Sequence, residues 1–117
     1  MYSLLDENTD IYIVEGYTDF RKGMDSLSRT AAENGIELQK GSLVIFMSRR
    51  KDRLKMLRWV GTGMLLVTYR LEEGKFTWLK GTDVRTITRK QLQWLLDGLS
   101  MEQEKYIRPI EKELTFY

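Results

Sequence analysis

Apolar positions in this chain of 117 residues fall into short runs and helical stripes that predict separate strands and helices. Residues 11–15 are β-branched or aromatic except for Glu15 and are followed by Gly16, which predicts a first strand. Residues 43–47 form an uninterrupted apolar run that is long enough for a buried strand and too short for a helix. We therefore expect residues 43–47 to be a central strand.

Three further strands are predicted in the middle of the chain, over residues 54–59, 64–71 and 75–79. Short turns containing Gly63 and Gly74 separate these strands. Neighbouring strands must then run antiparallel, because a parallel crossover needs about a dozen residues.

A first helix is predicted over residues 21–33, with Thr18 or Asp19 as its N-terminal cap. Gly35 is expected to end it in a left-handed conformation. Its apolar stripe consists of Met24, Leu27 and Ala31.

A short extended piece at residues 84–87 precedes a second predicted helix, residues 89–97. Thr88 and Gln91 have the spacing of a capping box at its start, and Gly98 is expected to stop it. Its apolar stripe consists of Leu92, Leu95, Leu96 and Leu99.

These elements predict an α+β fold, in which a mainly antiparallel four- or five-stranded sheet, arranged as a meander, carries two packed helices. Residues 1–99 are expected to form a single domain, since a chain of this length can bury roughly two thirds of its unfolded surface around one core. Residues 100–117 are interpreted as a C-terminal tail, partly helical or extended, because Pro109 interrupts a single helix there.

Charge is concentrated in the middle of the chain. The net charge is −4 over residues 1–48, +8 over residues 49–90 and −2 over residues 91–117, for a total of +2. Residues 49–58 alone hold six cations and one anion. A basic centre between acidic ends predicts a local surface for a polyanion or an acidic protein face.

Composition excludes most familiar enzyme mechanisms. The chain has no cysteine and no histidine, and therefore no disulfide, thiol nucleophile or histidine base. Asp19, Asp25 and Glu72 are scattered through predicted turns and helix surfaces, which does not suit a two-metal nuclease site. We expect no catalysis, metal or cofactor.

No apolar run approaches a membrane span and no signal segment is recognised, so we expect no membrane contact and a cytoplasmic location.

Three interpretations are open for the basic segment at residues 49–58: a solvated turn, a nucleic-acid contact, or a docking surface for an acidic protein. Alternation puts Leu54 and Met56 on one face of the following strand, with Arg58 near the edge of that face. A strand-flanked turn offers no recognition helix, so a nucleic-acid contact would be made mostly to phosphates. The candidate nucleic-acid-binding residues are Arg49, Arg50, Lys51, Arg53 and Lys55, together with Arg21, Lys22 and Arg70.

Two smaller features also have alternative interpretations. Arg21 and Lys22 are expected in the first turn of the first helix, where cations oppose the helix dipole. A bound anion there would explain them, whereas Asp19 is favoured as a cap and ion-pair partner. Phe76 and Trp78 share a face of the predicted strand, where they either stack on bases or, as we favour, belong to the core.

Four motifs follow one another along the chain: Gly16-Tyr-Thr-Asp-Phe-Arg-Lys-Gly-Met-Asp-Ser-Leu27, then Phe46 with Arg49-Arg-Lys-Asp-Arg-Leu-Lys-Met-Leu57 and Trp59, then Arg70-Leu-Glu-Glu-Gly-Lys-Phe-Thr-Trp78, and Leu95-Leu-Asp-Gly98. Together they resemble the small accessory transposition protein of the insertion sequence 66 family, often called TnpB. The chain departs from the family pattern at Val60, Tyr69 and Leu79, where the family usually has Asp, Lys and Pro. By this resemblance, the characteristic residues fall on Thr18, Asp19, Arg21, Lys22, Gly23, Arg49, Arg50, Lys55, Leu71, Glu72, Gly74, Phe76 and Trp78.

The resemblance implies a non-catalytic accessory protein of DNA transposition, encoded beside a larger transposase of the acidic-triad type. The expected partners are DNA at transposon ends and the partner transposase or another transposon-encoded protein, and a homo-oligomer is left open. The leading hypothesis is DNA binding, mainly through phosphate contacts of the turn at the start of the basic segment. The alternative is a protein adaptor that docks on the transposase without touching DNA.

Overall fold

The fold consists of five strands and two helices within residues 5, 6, 8–77 and 84–98, which are the residues that the computed structural model describes. The strands are β1 (Ile11–Val14), β2 (Leu43–Met47), β3 (Arg53–Trp59), β4 (Met64–Arg70) and β5 (Val84–Ile87). The helices are α1 (Met24–Glu33) and α2 (Arg89–Leu96), and a short 3-10 turn spans Leu38–Lys40. Neither described helix has the length and apolar character that a membrane crossing requires.

The strands form one mixed sheet in the order β4-β3-β2-β1-β5. The pairs β4-β3, β3-β2 and β1-β5 are antiparallel, whereas β1 and β2 are parallel, with Ile11 opposite Leu43. The long connection through α1 permits the parallel pair. The predicted α+β class and the central position of β2 are confirmed, although the parallel pair was not anticipated.

The two helices cover opposite faces of the sheet. Leu27 and Ala31 of α1 are fully buried in a cluster with Phe46 of β2. Leu92 and Leu95 of α2 pack in the other cluster, which contains the alternate residues of β1, β2 and β3. All five residues of β2 are buried, because helices cover both of its faces.

The second helix begins as the capping box predicts. The Gln91 backbone N–H donates to Thr88 Oγ1 at 3.0 Å, and the Thr88 N–H donates to Gln91 Oε1 at 2.9 Å. These two bonds satisfy backbone donors that a helix start leaves without intrahelical partners. Leu99 and the tail at residues 100–117 lie outside the described residues.

The predicted start of the first helix is wrong, because α1 begins at Met24 and not at Arg21. Its N-cap is Gly23, and no side chain caps it, so neither Thr18 nor Asp19 has the expected role. The Asp19 carboxylate instead accepts the Arg21 backbone N–H at 2.9 Å. This local turn places Arg21 and Lys22 before the helix rather than in its first turn, and it removes the argument that they oppose the helix dipole.

The predicted strand at residues 75–79 is also wrong over its described part, since residues 75–77 are not extended partners of the sheet. The Phe76 N–H donates to the Lys51 carbonyl at 2.6 Å, which turns this segment toward the β2–β3 connection. The Phe76 side chain is only 2% exposed and packs in the α2-side core. The preference for core is thus confirmed for Phe76, whereas Trp78 lies outside the described residues.

Arg58 lies on the Leu54 and Met56 side of β3 but is more enclosed than the predicted edge position suggests, at 8% exposed. One guanidinium nitrogen, Nη2, donates to Asp6 Oδ2 at 2.9 Å. This ion pair connects the segment before β1 to the C-terminal part of β3. Arg58 is therefore enclosed and paired, whereas the cations at the start of the basic segment are exposed.

Candidate nucleic-acid interface

The candidate site lies where the parallel strands β1 and β2 end. Because the two strands point the same way, the β1–α1 loop (residues 15–23) and the β2–β3 turn leave the sheet at the same edge. The Thr18 N–H joins them by donating to the Met47 carbonyl at 2.8 Å. Ligand sites of open α/β sheets commonly occur at such carboxyl ends, where two neighbouring loops diverge.

Residues 48–53 form the basic turn, and its shape is set by Ser48. The Ser48 N–H donates to the Arg53 carbonyl, and the Lys51 N–H donates to the Ser48 carbonyl, each at 3.0 Å. The Ser48 hydroxyl donates to Asp52 Oδ1 at 3.3 Å and accepts the Arg53 N–H at 3.2 Å. Ser48 is itself buried, so the turn is anchored from inside while its arginines remain exposed.

A segment beyond β4 braces the basic turn from its other side. The Leu71 N–H donates to the Asp52 carbonyl at 2.9 Å, next to the Phe76 bond to Lys51. Lys75 Nζ donates to the Arg50 carbonyl at 3.0 Å. Three consecutive carbonyls of the turn are therefore held, which fixes the directions in which its side chains leave the backbone.

The β1–α1 loop and the basic turn enclose a cleft of about 590 Å³, which we call the basic cleft. It is lined by Tyr17, Thr18, Asp19, Phe20, Arg21, Ser48, Arg49, Arg50, Asp52 and Arg53. Four of these ten residues are arginines and two are aspartates. The arginines come from both walls, so the convergence of positive charge is produced by the fold and not by sequence proximity alone.

Asp19 neutralises one of the four arginines. Its Oδ2 lies 2.6 Å from Arg21 Nη2, and Arg21 Nε donates to both carboxylate oxygens at 3.0 Å. Hydrogen bonds from the Arg21 side chain and backbone lower the pKa of Asp19 to about 2 from its ordinary value of 3.8. Asp19 is therefore ionised at every ordinary working pH. Arg21 remains 91% exposed at its side chain despite this pair, so its outer face is accessible.

The fold places the other predicted binding residues in different environments. Arg49, Arg50 and Arg53 line the basic cleft, and Lys51 is exposed at the apex of the turn. Among the described residues, no acidic side chain lies within ion-pair distance of these four cations. Lys22 lines a neighbouring pocket instead.

Lys22 and Lys55 both have structural contacts. Lys22 Nζ donates to Thr30 Oγ1 of α1 at 3.1 Å. Lys55 Nζ donates to the Phe20 and Lys22 carbonyls at 3.1 and 3.0 Å and lies 5.0 Å from the centre of the Phe20 ring. Lys55 thus fastens the β1–α1 loop over β3, a role that the charge pattern did not reveal.

Arg70 extends the positive surface along the sheet. It is paired directly opposite Arg53 across β3 and β4, so the two side chains leave from the same face. Glu72 Oε2 lies 3.5 Å from Arg70 Nη2, at exposed positions where an ion pair of this length contributes little. Like charges that face each other across strands are destabilising, so this pair of arginines lowers the stability of the fold.

Two residues of the site were missed from the sequence. Tyr17 is 60% exposed and lies beside Arg49, whose guanidinium carbon is 5.6 Å from the centre of the tyrosine ring. Lys75 reaches the basic turn from the segment beyond β4. Tyr17 stood within a motif of the family resemblance, but no periodic pattern marked it as exposed.

Comparisons with known proteins agree with the resemblance noted from the motifs. A family model described as IS66 Orf2 like protein matches residues 9–106. The uncharacterized protein y4hO of Sinorhizobium fredii (strain NBRC 101917 / NGR234) is 33% identical over 99 residues, which cover 80% of this chain and 83% of the relative. The uncharacterized protein y4jC of the same strain is 39% identical over 59 residues, which cover 50% of each chain. No solved structure matches this chain significantly. The segment matched by the family model contains every residue that lines the basic cleft.

Proposed function

The chain belongs to the IS66 Orf2-like family and has the accessory role in transposition that this family supports, and from this premise we propose that it acts by binding DNA through phosphate contacts of the basic cleft. The proposal that the chain binds DNA rests on the residues of the basic cleft. The accessory role alone would equally suit a protein that binds only another protein.

The main support for this proposal is the convergence of arginines from two loops. Arg21 reaches the basic cleft from one wall, and Arg49, Arg50 and Arg53 reach it from the other. Guanidinium groups bind phosphate oxygens through two parallel hydrogen bonds, which suits a polyanion with regularly spaced phosphates. Their backbone is held by hydrogen bonds before any ligand arrives, so little backbone entropy is lost on binding.

The cross-strand arginines add a second reason. Arg53 and Arg70 lie opposite each other, and their repulsion is relieved when an anion lies between or above them. A phosphate would convert a destabilising pair into a binding site, whereas water and salt would only screen it. The positive surface thus continues from the basic cleft across the start of β3 to the end of β4.

The expected contacts position DNA without reading its sequence. The cleft is built from a loop and a turn, and neither helix contributes a residue to its lining. Direct readout normally requires a helix or ribbon that enters the major groove. Phosphate contacts fix register and orientation and carry no sequence information themselves.

The proposed role is non-catalytic. Asp19 is the acidic residue of the β1–α1 wall, and both of its carboxylate oxygens accept hydrogen bonds from Arg21. A metal-dependent nuclease needs such oxygens to be directed at a cation. The other carboxylate in the cleft, Asp52, accepts the Ser48 hydroxyl at 3.3 Å.

Salt-dependent binding to a terminal-repeat duplex tests the proposal. Log affinity should fall with log salt at about −0.9 per phosphate contact, so Arg49→Ala/Arg50→Ala/Lys51→Ala should reduce the magnitude of the slope by roughly 2 to 3 units. Fluorescence anisotropy over several salt concentrations measures it.

A matched control is the triple variant Lys40→Ala/Arg89→Ala/Lys90→Ala. It removes the same charge from exposed positions that precede β2 or follow β5, at the opposite end of the sheet from the cleft. Its slope should change by less than about one unit. Equal effects of the two triple variants would exclude the basic turn as the contact. If the wild-type chain fails to bind DNA even at low salt while the partner transposase co-purifies with it, the adaptor alternative is correct.

A further inference from the structure

An exposed aromatic ring stands among the arginines of the basic cleft. Tyr17 and Tyr69 are the large apolar side chains that the described residues expose, at 60% and 37%. Tyr69 has structural contacts, since its hydroxyl donates to the Leu96 carbonyl at 3.1 Å and its ring lies 6.2 Å from that of Phe76. Tyr17 has one ring contact within the described residues, the Arg49 guanidinium. The exposed Tyr17 ring therefore lies within the basic cleft beside a cation, where it is accessible to a ligand.

The volume of the basic cleft limits the size of the ligand that it can hold. Its volume of about 590 Å³ falls in the range of sites that hold one small organic molecule, roughly 300–1,000 Å³. An intact duplex presents its phosphates at the surface and keeps its bases stacked inside, so it would reach the arginines but not offer a base to the ring. A single unpaired nucleotide supplies both a flat base and a phosphate.

The neighbours of Tyr17 suit these two parts of a nucleotide. The ring offers a stacking face, and Arg49 lies over the same ring, where a cation can contact both the aromatic face and a phosphate. Phe20 adds an apolar wall. Grooves that bind single strands combine these elements, a positive track for the backbone and aromatic side chains for the bases.

We propose that the basic cleft accepts one unpaired nucleotide of DNA, with its base stacked on Tyr17 and its phosphate held by Arg49 and the neighbouring arginines. The chain should therefore favour single strands and frayed or overhanging ends over intact duplex. This inference rests on the proposed function, because it names the form of DNA that the same site takes.

Anisotropy with three labelled DNAs tests the inference: a blunt duplex, the same duplex with a short single-stranded overhang, and the single strand alone. Tyr17→Ala should weaken binding to the overhang and the single strand roughly ten-fold or more, the loss expected when one stacking aromatic is removed, and should change blunt-duplex binding by less than about two-fold. Tyr17→Phe is the matched control, because it keeps the ring and should bind all three DNAs like the wild type. Circular dichroism and thermal melting verify that the exposed substitution leaves the fold intact.

The outcomes separate the inference from the proposed function. If the wild-type chain binds the blunt duplex with the expected salt slope but does not favour the overhang, the inference is wrong and the proposed function stands. The same holds if Tyr17→Ala weakens all three DNAs equally or none of them. If no DNA is bound at low salt, both are wrong.

Discussion

Lys51 at the apex of the basic turn allows a direct test of the turn's backbone. Its φ of 65° is left-handed, and among the described residues it is the one residue other than glycine with a positive φ. This conformation costs a residue with a side chain about 1–2 kcal/mol, whereas glycine adopts it freely but loses about 0.5–1 kcal/mol through its greater freedom in the unfolded chain. Lys51→Gly should therefore raise the free energy of unfolding by about 0.5–1 kcal/mol.

The charge must be separated from the backbone effect. Lys51→Gly also removes an ammonium from a group of cations, which could stabilise the fold by itself. Lys51→Ala removes the same charge and keeps a Cβ, so the difference between the two variants reports the backbone alone. Urea denaturation followed by circular dichroism, with a slope of about 1–3 kcal/mol per molar, should place the midpoint of the glycine variant a few tenths of a molar above that of the alanine variant.

Equal midpoints would refute the reasoning, since the turn would then not hold residue 51 in a left-handed conformation. DNA binding provides a second check. Both variants lack the same charge, so both should reduce the salt slope by the same amount, about one unit for one phosphate contact. Unequal slopes would mean that the shape of the turn, and not the charge of Lys51, determines the contact.

Three further predictions concern the Asp19 carboxylate and the core. Asp19→Asn removes an anion from the cleft and releases Arg21, so affinity for DNA at low salt should rise roughly two- to three-fold, and an unchanged or lower affinity would exclude Arg21 from the contact. The pKa of Asp19 is about 2 in the folded chain and 3.8 without its partner, so the stability from this pair is present above pH 3.8 and is lost as the pH falls toward 2. Acid titration of the wild-type chain should show this loss of stability, and titration of Asp19→Asn should not. Leu54→Ala should lower the free energy of unfolding by about 2–5 kcal/mol, because Leu54 is fully buried. The control Thr86→Ala, at an exposed position of β5, should lower it by less than about 1 kcal/mol. Similar losses for the two variants in urea denaturation would contradict the burial of Leu54.

Local patterns predicted the elements where their chemistry is complete within a few residues. The apolar run of β2 and the capping box at Thr88 both fall where expected, since the signal of each lies within a few consecutive residues. The start of α1 was missed because a carboxylate such as Asp19 satisfies nearby N–H groups equally well in a helix cap and in a loop. Phe76 was assigned to a strand because a buried aromatic residue in a loop has the same local signature as one in a sheet.

The basic cleft required knowledge of which strands are neighbours. Hydrophobic periodicity identifies strands but not their order, and the parallel pairing of β1 with β2 brings Arg21 to Arg49. The sequence therefore predicted the basic turn as a feature and could not join it to the β1–α1 loop. The structural roles of Lys22 and Lys55 were equally hidden, because a lysine bound to a hydroxyl or to backbone carbonyls and a lysine in water contribute identically to a charge count.

The position of β1 between β2 and β5 makes the chain vulnerable to shortening. Ile11 pairs with Leu43 on one side and with Ile87 on the other, so the first strand in chain order receives one neighbour from the last of the described strands. A truncated chain ending before Val84 would leave the β5-facing backbone of β1 unpaired beside exposed β-branched side chains, which is a template for intermolecular strand pairing. The residues that line the basic cleft all precede β3 or begin it, yet a fragment limited to them is expected to aggregate rather than bind.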